Sequence, residues 1–188
     1  MGKNKLGFWE EYSNRNDLSM NSLMNLEVNE DLSKRKFEVE TKMFDKLISL
    51  NPNYNVLDLG GGIGLWANFF SQKGCNVTLV EKEKNFIEIA KKIAKKNITI
   101  HHSDVVDFSA EENTFDVVFI SGVTIYLDDR SLLNLMSNIK KYLKSNGFFL
   151  HRDAYGVKDD FIIKNKYSEN LNLKYSAKYR SRVNYDKF

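Results

Sequence analysis

"NVLDLGGGIGLWANFF", residues 55–70, sets four glycines between two apolar runs. The first run is short and rich in Val and Leu, which predicts a buried strand, and the second run predicts a helix. Glycine between them permits a positive φ and lets the backbone approach a ligand, because no Cβ intervenes. The stretch therefore predicts a strand, a tight turn and a helix, with a ligand held at the turn.

The rest of the chain continues the alternation of strand and helix that this stretch begins. Further strands are predicted at 76–81, 98–102, 115–121 and 147–154, and helices at 35–50, 64–74, 85–97 and 128–147. Such alternation is typical of an α/β fold, in which a doubly wound, mostly parallel sheet carries helices on both faces. Ligands of these sheets bind at the carboxyl ends of the strands, so functional residues are expected just after each strand.

The same pattern divides the chain into three segments. Residues 1–34 are polar with an early aromatic group and are predicted to form a helical lid. Residues 35–154 carry the alternation and are predicted to form the ligand-binding core. Residues 155–188 are basic and aromatic without a clear period, and we interpret them as a substrate-side segment. Because the alternation stops before the last strands that such a sheet often has, we interpret the chain as truncated or as a pared-down domain.

Composition is that of an ordinary globular domain. Hydrophobic residues make up 42% of the 188 residues, the formal net charge is +3, and the one cysteine, Cys75, excludes an internal disulfide. The N-terminus lacks the apolar segment of a signal peptide, and no run is long enough to span a membrane. Lysines are scattered rather than gathered with stacking aromatics, which disfavours a nucleic-acid partner. We therefore expect a cytoplasmic protein with no membrane partner, whose oligomeric state the sequence leaves open.

Two kinds of adenosine-containing cofactor fit the glycine turn. Residues 62–67 follow G-x-G-x-x-[GA], and Glu81 lies 19 residues beyond Gly62, as in the dinucleotide-binding fingerprint. Residues 58–64 also read acid-x-Gly-x-Gly-x-Gly, which resembles motif I of the class I S-adenosylmethionine-dependent methyltransferases. Later segments resemble the second and third strands, motif IV, and the helix and fifth strand of that family; they are 77–83, 98–108, 115–129 and 132–150. The resemblance thus covers about residues 35–154.

The resemblance implies S-adenosylmethionine as the cofactor and S-adenosylhomocysteine as the product. Glu81, in the place of the family's ribose-binding acid, is implied to accept hydrogen bonds from both vicinal hydroxyls. Asp104 and Val105 are implied to bind the adenine, and Trp9 and Tyr12 to close over the cofactor. The full set of predicted cofactor residues is Trp9, Tyr12, Asp58, Gly60, Gly62, Glu81, Lys82, Asp104, Val105 and Ser121.

Catalysis of methyl transfer requires mainly positioning and, for a hydroxyl acceptor, a base. The candidates at the carboxyl ends of the fourth and fifth strands are Tyr126, His151 and Asp153. Many members of the family carry a histidine where this chain has Ile125, so no role of that histidine is assigned here. The histidines, the cysteine and the carboxylates show no metal-ligand spacing, and no metal site is expected.

Three functions are weighed for this site. The leading prediction is an S-adenosylmethionine-dependent methyltransferase acting on O or N of a small molecule, such as a phosphorylated or nucleotide-linked sugar or a capsule precursor. One alternative is an NAD(P)-dependent oxidoreductase that uses the same glycine turn. Another is a non-catalytic protein that keeps the fold as a partner for another subunit. A nucleic-acid acceptor is disfavoured, because SGVTIY at 121–126 replaces the Asn-Pro-Pro-aromatic signature of amino-group methylation.

Overall fold

A parallel sheet forms the centre of the structure. The computed structural model describes residues 7–14, 30–169 and 173–188. Within them the helices are α1 (Gly7–Ser13), α2 (Glu30–Leu47), α3 (Leu65–Gln72), α4 (Lys84–Ile93), α5 (Asp129–Tyr142) and α6 (Arg182–Tyr185). The strands are β1 (Asn55–Leu59), β2 (Asn76–Glu81), β3 (Ile98–His102), β4 (Phe115–Ser121), β5 (Leu143–Arg152), β6 (Phe161–Ser168) and β7 (Leu173–Tyr179). A short 3-10 helix, Thr124–Tyr126, follows β4.

The order of the strands places a crevice next to the glycine turn. Strands β1 to β5 pair in the order β3-β2-β1-β4-β5, and each of these pairs is parallel. The chain moves outward from β1 to β3 and then returns to place β4 on the other side of β1. This reversal opens a crevice at the carboxyl ends of β1 and β4, where ligands of such sheets bind. The predicted doubly wound α/β fold is confirmed.

Apolar side chains cover both faces of the sheet, because successive residues of a strand point to opposite sides. On one face Val56 and Val117 pack in a buried cluster with side chains of α2, α3 and α4. On the other face Leu57 and Val118 pack with side chains of α5 and of the loop at 105–110. Helices therefore lie on both faces, as the nearly continuous apolar strands predicted.

The last helix of the sheet layer ends earlier than predicted. Helix α5 stops at Tyr142 and β5 begins at Leu143, whereas the sequence pattern continued the helix to Gly147 and began the strand there. Leu143 is extended and pairs with Phe115 of β4, ahead of a register shift in that pairing. Strand pairing therefore ends the helix. Gly147 instead lies inside β5, where a Cβ would be 2.9 Å from Leu143 Cδ2.

The segment after β5 forms an antiparallel hairpin, in which β6 pairs with β7. Among the described residues this hairpin does not join the parallel sheet, whose edge strands are β3 and β5. Strand β7 packs against α1 and against the 3-10 helix after β4, and Tyr175 contacts the aromatic cluster around α1. The sequence pattern did not predict this hairpin because β6 is exposed over most of its length, so it lacks a regular apolar alternation.

The N-terminal helix packs against α4, the glycine turn and β7. Helix α1 buries Phe8 and Tyr12 in an aromatic cluster with side chains of α4. Helix α2 begins at Glu30, inside the segment predicted as a lid, and residues 1–6 and 15–29 of that segment lie outside the described residues. None of the helices in the described part of the chain combines the length and the apolar character that a membrane crossing requires.

Candidate functional site

A cavity of about 840 Å³ lies at the carboxyl ends of the parallel strands. Small-molecule sites usually measure about 300–1,000 Å³, so this large cavity has room for a cofactor and a small acceptor. We name the part formed by residues after β1, β2 and β3 the cofactor end, and the part formed by residues after β4 and β5 with parts of α1 and β7 the acceptor end, after the ligands that the sequence predicts there. The predicted residues that line it are Trp9, Gly60, Gly62, Glu81, Lys82, Asp104, Val105, Ser121, Tyr126 and Asp153.

The glycine turn, residues 60–64, presents bare backbone to the cavity. Gly60, Gly62 and Gly64 have φ values between 56° and 84°, which residues with a side chain rarely adopt. A Cβ on Gly60 would overlap the Val123 side chain, so the turn lies directly against the segment after β4. In the described residues no heavy atom lies within 4 Å of a Cβ built on Gly62. A ligand can therefore approach this backbone closely.

The Glu81 carboxylate ties the glycine turn to the end of β2. Its Oε2 accepts from the Gly62 amide at 2.9 Å, and its Oε1 accepts from the Lys82 and Glu83 amides, both at 2.8 Å. Burial raises the pKa of Glu81, and the three amide donors oppose that rise. A carboxylate offers about four acceptor positions, so one position at Oε2 remains for a ligand hydroxyl. To accept hydrogen bonds from two ribose hydroxyls, a Glu81 oxygen would have to bind a hydroxyl and a backbone amide at the same acceptor position.

Residues at and after the ends of β2 and β3 form the far wall of the cofactor end. Asp104 Oδ1 accepts from the Val106 amide at 3.2 Å, and Asp104 Oδ2 lies 3.8 Å from the Lys82 ammonium. Lys82 also lies 3.8 Å from Glu83 Oε1, so one cation stands between two acids. Val105 is buried. This wall offers carboxylate acceptors and apolar surface, which suits an aromatic ring that carries an amino group.

A smaller cavity of about 90 Å³ adjoins the glycine turn and reaches Glu40, Ser121 and Arg152. Asp58 forms part of its wall and is only 2% exposed. Among the described residues nothing hydrogen-bonds to Asp58 Oδ2. Burial, with a smaller effect of the Glu81 charge, raises the pKa of Asp58 to about 7. A buried carboxylate with an unsatisfied oxygen fits a cationic ligand group.

Asp153 is the buried acid of the acceptor end, and its side chain is 1% exposed. Its Oδ2 accepts from the Thr124 amide at 3.0 Å and from the Thr124 hydroxyl, and lies 3.0 Å from His151 Nε2. Its Oδ1 has no hydrogen-bond partner within the part of the chain that the structure describes. Asp153 therefore has one oxygen that is held firmly and one that is unsatisfied, in the wall of the cavity.

Tyr126 lines the acceptor end and packs its ring against Trp9, with 5.3 Å between the ring centroids. Burial, together with the neighbouring Tyr179 and Asp153, raises the pKa of Tyr126 well above its ordinary value. The phenol therefore stays protonated at neutral pH, and it can bind a ligand through a hydrogen bond but is a poor general base.

Two predicted residues, His151 and Tyr12, are not among the described residues that line either cavity. His151 Nε2 lies 2.9 Å from the Thr124 hydroxyl. Tyr12 is 3% exposed and stacks on Phe8 within the aromatic cluster. Both side chains support neighbours that do line the cavity, His151 through Asp153 and Tyr12 through helix α1.

Other residues of the cavity wall had little signal in the sequence. Lys36 and Glu40 belong to α2, where they are two among many charged residues of a surface helix, so nothing in the pattern marks them. Arg152 is the last residue of β5 and lies within the predicted strand 147–154, and Tyr179 lies in the aromatic C-terminal segment. Their positions in the sequence could have marked these two residues as site candidates, but could not have predicted the contacts that they make.

Comparisons with known proteins agree on one kind of domain. A family model described as a methyltransferase domain matches residues 56–147. Phosphoethanolamine N-methyltransferase 1 of Triticum aestivum is 28% identical over 155 residues, which cover 78% of this chain and 29% of that protein. Ribosomal RNA small subunit methyltransferase A of Mesomycoplasma hyopneumoniae (strain 232) is 30% identical over 95 residues, 49% of this chain and 36% of that protein. The chain thus spans about a third of the length of these relatives.

Solved structures share the fold at low identity. Haemonchus contortus phosphoethanolamine N-methyltransferase 1, solved with phosphoethanolamine and S-adenosylhomocysteine, gives a TM-score of 0.66 at 22% identity, over 78% of this chain and 31% of that chain. The glycopeptide N-methyltransferase MtfA, solved with S-adenosylmethionine, gives 0.65 at 16% identity, over 79% of this chain and 78% of that chain. At these identities the likeness establishes the fold.

Proposed function

We propose that this chain is a member of the class I S-adenosylmethionine-dependent methyltransferases, since a methyltransferase-domain model matches residues 56–147, and that it transfers a methyl group from S-adenosylmethionine to a small molecule. The observation that supports this proposal is one cavity whose wall joins the glycine turn and Glu81 to the buried Asp153. S-adenosylmethionine, when bound, supplies an electrophilic methyl group on a sulfonium. The acceptor is an oxygen or a nitrogen of the small molecule.

The residues of the cofactor end fit this cofactor. Gly62 of the glycine turn offers backbone that no side chain covers, and Asp58 offers a buried carboxylate to the ammonium of the amino-acid end. Glu81 Oε2 has an acceptor position for a ribose hydroxyl, and Asp104 with Val105 offers an acceptor and an apolar surface to the adenine. A pyrophosphate-binding helix end is not needed, since this cofactor has no pyrophosphate.

Nitrogen is the acceptor atom that we favour. The new carbon–nitrogen bond forms from the acceptor's lone pair while the carbon–sulfur bond breaks with its electrons left on sulfur, so the protein's task is in-line positioning. An amine that binds as an ammonium must first release one proton to free this lone pair, and the Asp153 carboxylate is the group of the acceptor end that suits this proton. The Trp9 and Tyr126 rings provide aromatic surface to a cationic amine.

A phosphorylated amine is the acceptor class that fits best. Lys36 brings a cation to the wall of the large cavity, which suits an anionic group on the acceptor. The relatives named phosphoethanolamine N-methyltransferase support an amine of this class. No feature of the described residues favours a nucleotide-linked sugar or a capsule precursor over it.

Isothermal titration calorimetry separates this proposal from its two rivals. We expect S-adenosylhomocysteine to bind in the micromolar range and NADH not to bind. Transfer of a radiolabelled methyl group to phosphoethanolamine or ethanolamine then tests the acceptor. Binding of NADH without S-adenosylhomocysteine would support an oxidoreductase. If neither ligand binds or shifts the midpoint of thermal unfolding, the chain is a non-catalytic partner.

Asp153→Asn is expected to lower kcat/KM for the acceptor by about tenfold, because the variant loses the charge that receives the acceptor's proton. Asparagine keeps the volume of the side chain and one oxygen for the Thr124 amide, so the affinity for S-adenosylhomocysteine should stay within about twofold. Kinetics and calorimetry on the same preparation measure both effects. Asp159→Asn, on an exposed loop residue, is the matched control. An equal loss of cofactor affinity would mean that Asp153 acts only through the fold.

The raised pKa of Asp58 predicts how cofactor binding depends on pH. The carboxyl is protonated below its pKa of about 7, and a neighbouring ammonium binds the charged form, so ligand binding must release a proton at lower pH. The affinity for S-adenosylhomocysteine should therefore rise about tenfold from pH 5.5 to 7. Asp58→Asn should flatten this rise, apart from a smaller contribution of Glu81, whose pKa is also raised. An unchanged pH dependence in calorimetry would contradict the assignment.

A further inference from the structure

Glu40 of α2 and Arg152 at the end of β5 form an ion pair beside the small cavity. Arg152 Nη2 donates to Glu40 Oε1, and Arg152 Nη1 donates to Ser121 Oγ at 3.2 Å. The Arg152 side chain is 33% exposed and the Glu40 side chain 23%. One guanidinium thus joins the helix that precedes the sheet to the edge strand of the sheet, where the two cavities meet.

The small cavity has room for a group of a few heavy atoms. Its volume of about 90 Å³ exceeds the roughly 10–15 Å³ that one water requires, and it is far smaller than the large cavity. Its wall combines the glycine turn, Asp58 and the Glu40–Arg152 pair, so two carboxylates and one guanidinium border a single small space. Asp58 Oδ2 is a buried oxygen of this wall, and it lacks a hydrogen-bond partner within the described residues.

This combination of charges is complementary to an α-amino-acid group, which carries an ammonium and a carboxylate on the same carbon. The planar fork of an arginine binds a carboxylate through two parallel hydrogen bonds. The buried Asp58 suits the ammonium, and Phe37 and Trp66, which line the same cavity, suit the methylene groups beside it. In S-adenosylmethionine the amino-acid end carries both of these charges, whereas the adenosine carries neither.

We propose that Arg152 binds the α-carboxylate of the cofactor's amino-acid end, and that Glu40 competes with this carboxylate for the guanidinium. The inference rests on the proposed function, since it takes S-adenosylmethionine as the cofactor. A partly exposed ion pair contributes little to stability, so the exchange of one carboxylate for another costs little. Arg152 can keep its hydrogen bond to Ser121 meanwhile, because that bond uses the other nitrogen. The exchange separates α2 from β5 as the cofactor binds.

5′-Methylthioadenosine provides the test, because it keeps the adenosine and the sulfur of the cofactor and lacks the amino-acid end. We expect Arg152→Met to weaken S-adenosylhomocysteine binding by about tenfold and to leave 5′-methylthioadenosine binding within about twofold. Glu40→Gln should strengthen S-adenosylhomocysteine binding by about threefold, because the competitor is removed, without changing the second ligand. Lys144→Met, which removes a cation of β5 that pairs with Asp116, is the control and should change neither affinity.

The ratio of the two affinities decides the outcome. Equal weakening of both ligands by Arg152→Met would overturn the inference, because the arginine would then support the whole site rather than the amino-acid end. Affinities that both stay unchanged in Arg152→Met would overturn it as well. If Arg152→Met fails to fold, Arg152→Lys replaces it in the test, because lysine keeps the charge without the planar fork. We expect this variant to lose part of its affinity for S-adenosylhomocysteine and none of its affinity for 5′-methylthioadenosine. If the unaltered protein binds neither ligand, the proposed function itself fails.

Discussion

Glu81→Ala is expected to weaken S-adenosylhomocysteine binding by about 100-fold, near the upper limit for the loss of a charge-assisted hydrogen bond. The Glu81 carboxylate accepts from three backbone amides, one in the glycine turn and two in the chain that follows β2. Alanine leaves these amides without their acceptor, so the turn loosens at the same time as the ribose contact is lost. Calorimetry measures the affinity, and hydrogen exchange at the Gly62 amide should become faster.

Glu81→Gln distinguishes the charge of this side chain from its size. The amide oxygen of glutamine can still accept from the Lys82 and Glu83 amides, but its NH2 group would then face the Gly62 amide, which is also a donor. We therefore expect at least about a tenfold loss of affinity from this nearly isosteric change. Glu88→Ala, on the exposed face of α4, is the control. An affinity within twofold of the unaltered protein in both Glu81 variants would remove Glu81 from the site.

Arg180→Ala is expected to lower the free energy of unfolding by about 2–4 kcal/mol, through lost hydrogen bonds and lost packing. The Arg180 side chain is 1% exposed and donates to the carbonyl oxygens of Thr124 at 3.0 Å and Leu127 at 2.7 Å. It also donates to Asp129 Oδ1, and its guanidinium lies 5.9 Å from the centroid of the Tyr185 ring. One buried cation therefore connects the hairpin and α6 to the segment that carries Tyr126.

Lys178→Ala is the matched control for Arg180. Lys178 also pairs with Asp129, but the Lys178 side chain is 27% exposed, so we expect the free energy of unfolding to change by less than about 1 kcal/mol. Chemical denaturation measures both variants, and the Arg180 variant should also raise KM for the acceptor, because the 3-10 helix Thr124–Tyr126 loses its anchors. Equal destabilisation by the two substitutions would show that the shared contact with Asp129, and not the buried carbonyl contacts, carries the effect.

The cofactor end of the site was largely predictable because its residues follow directly from strand ends. A parallel sheet brings the carboxyl ends of neighbouring strands to one edge, so Glu81 and Asp104 had to lie near the glycine turn once the strands were identified. The registers of β1, β2 and β3 agree with this expectation. The local sequence pattern could not predict the hydrogen-bond partners of each group, such as the three amides that donate to Glu81 or the lack of a partner for Asp58 Oδ2.

The parallel α/β sheet and the glycine turn follow from the amino-acid sequence, because the period of apolar residues and the need for positive φ are local properties. The contact between Arg152 and Glu40, 112 residues apart, and the anchoring of the segment after β4 by Arg180 arise only in the folded protein. The same holds for the contact of His151 with Asp153. Such contacts depend on how α2 and the β6–β7 hairpin dock on the sheet edge, and docking is set by long-range packing that no local period records.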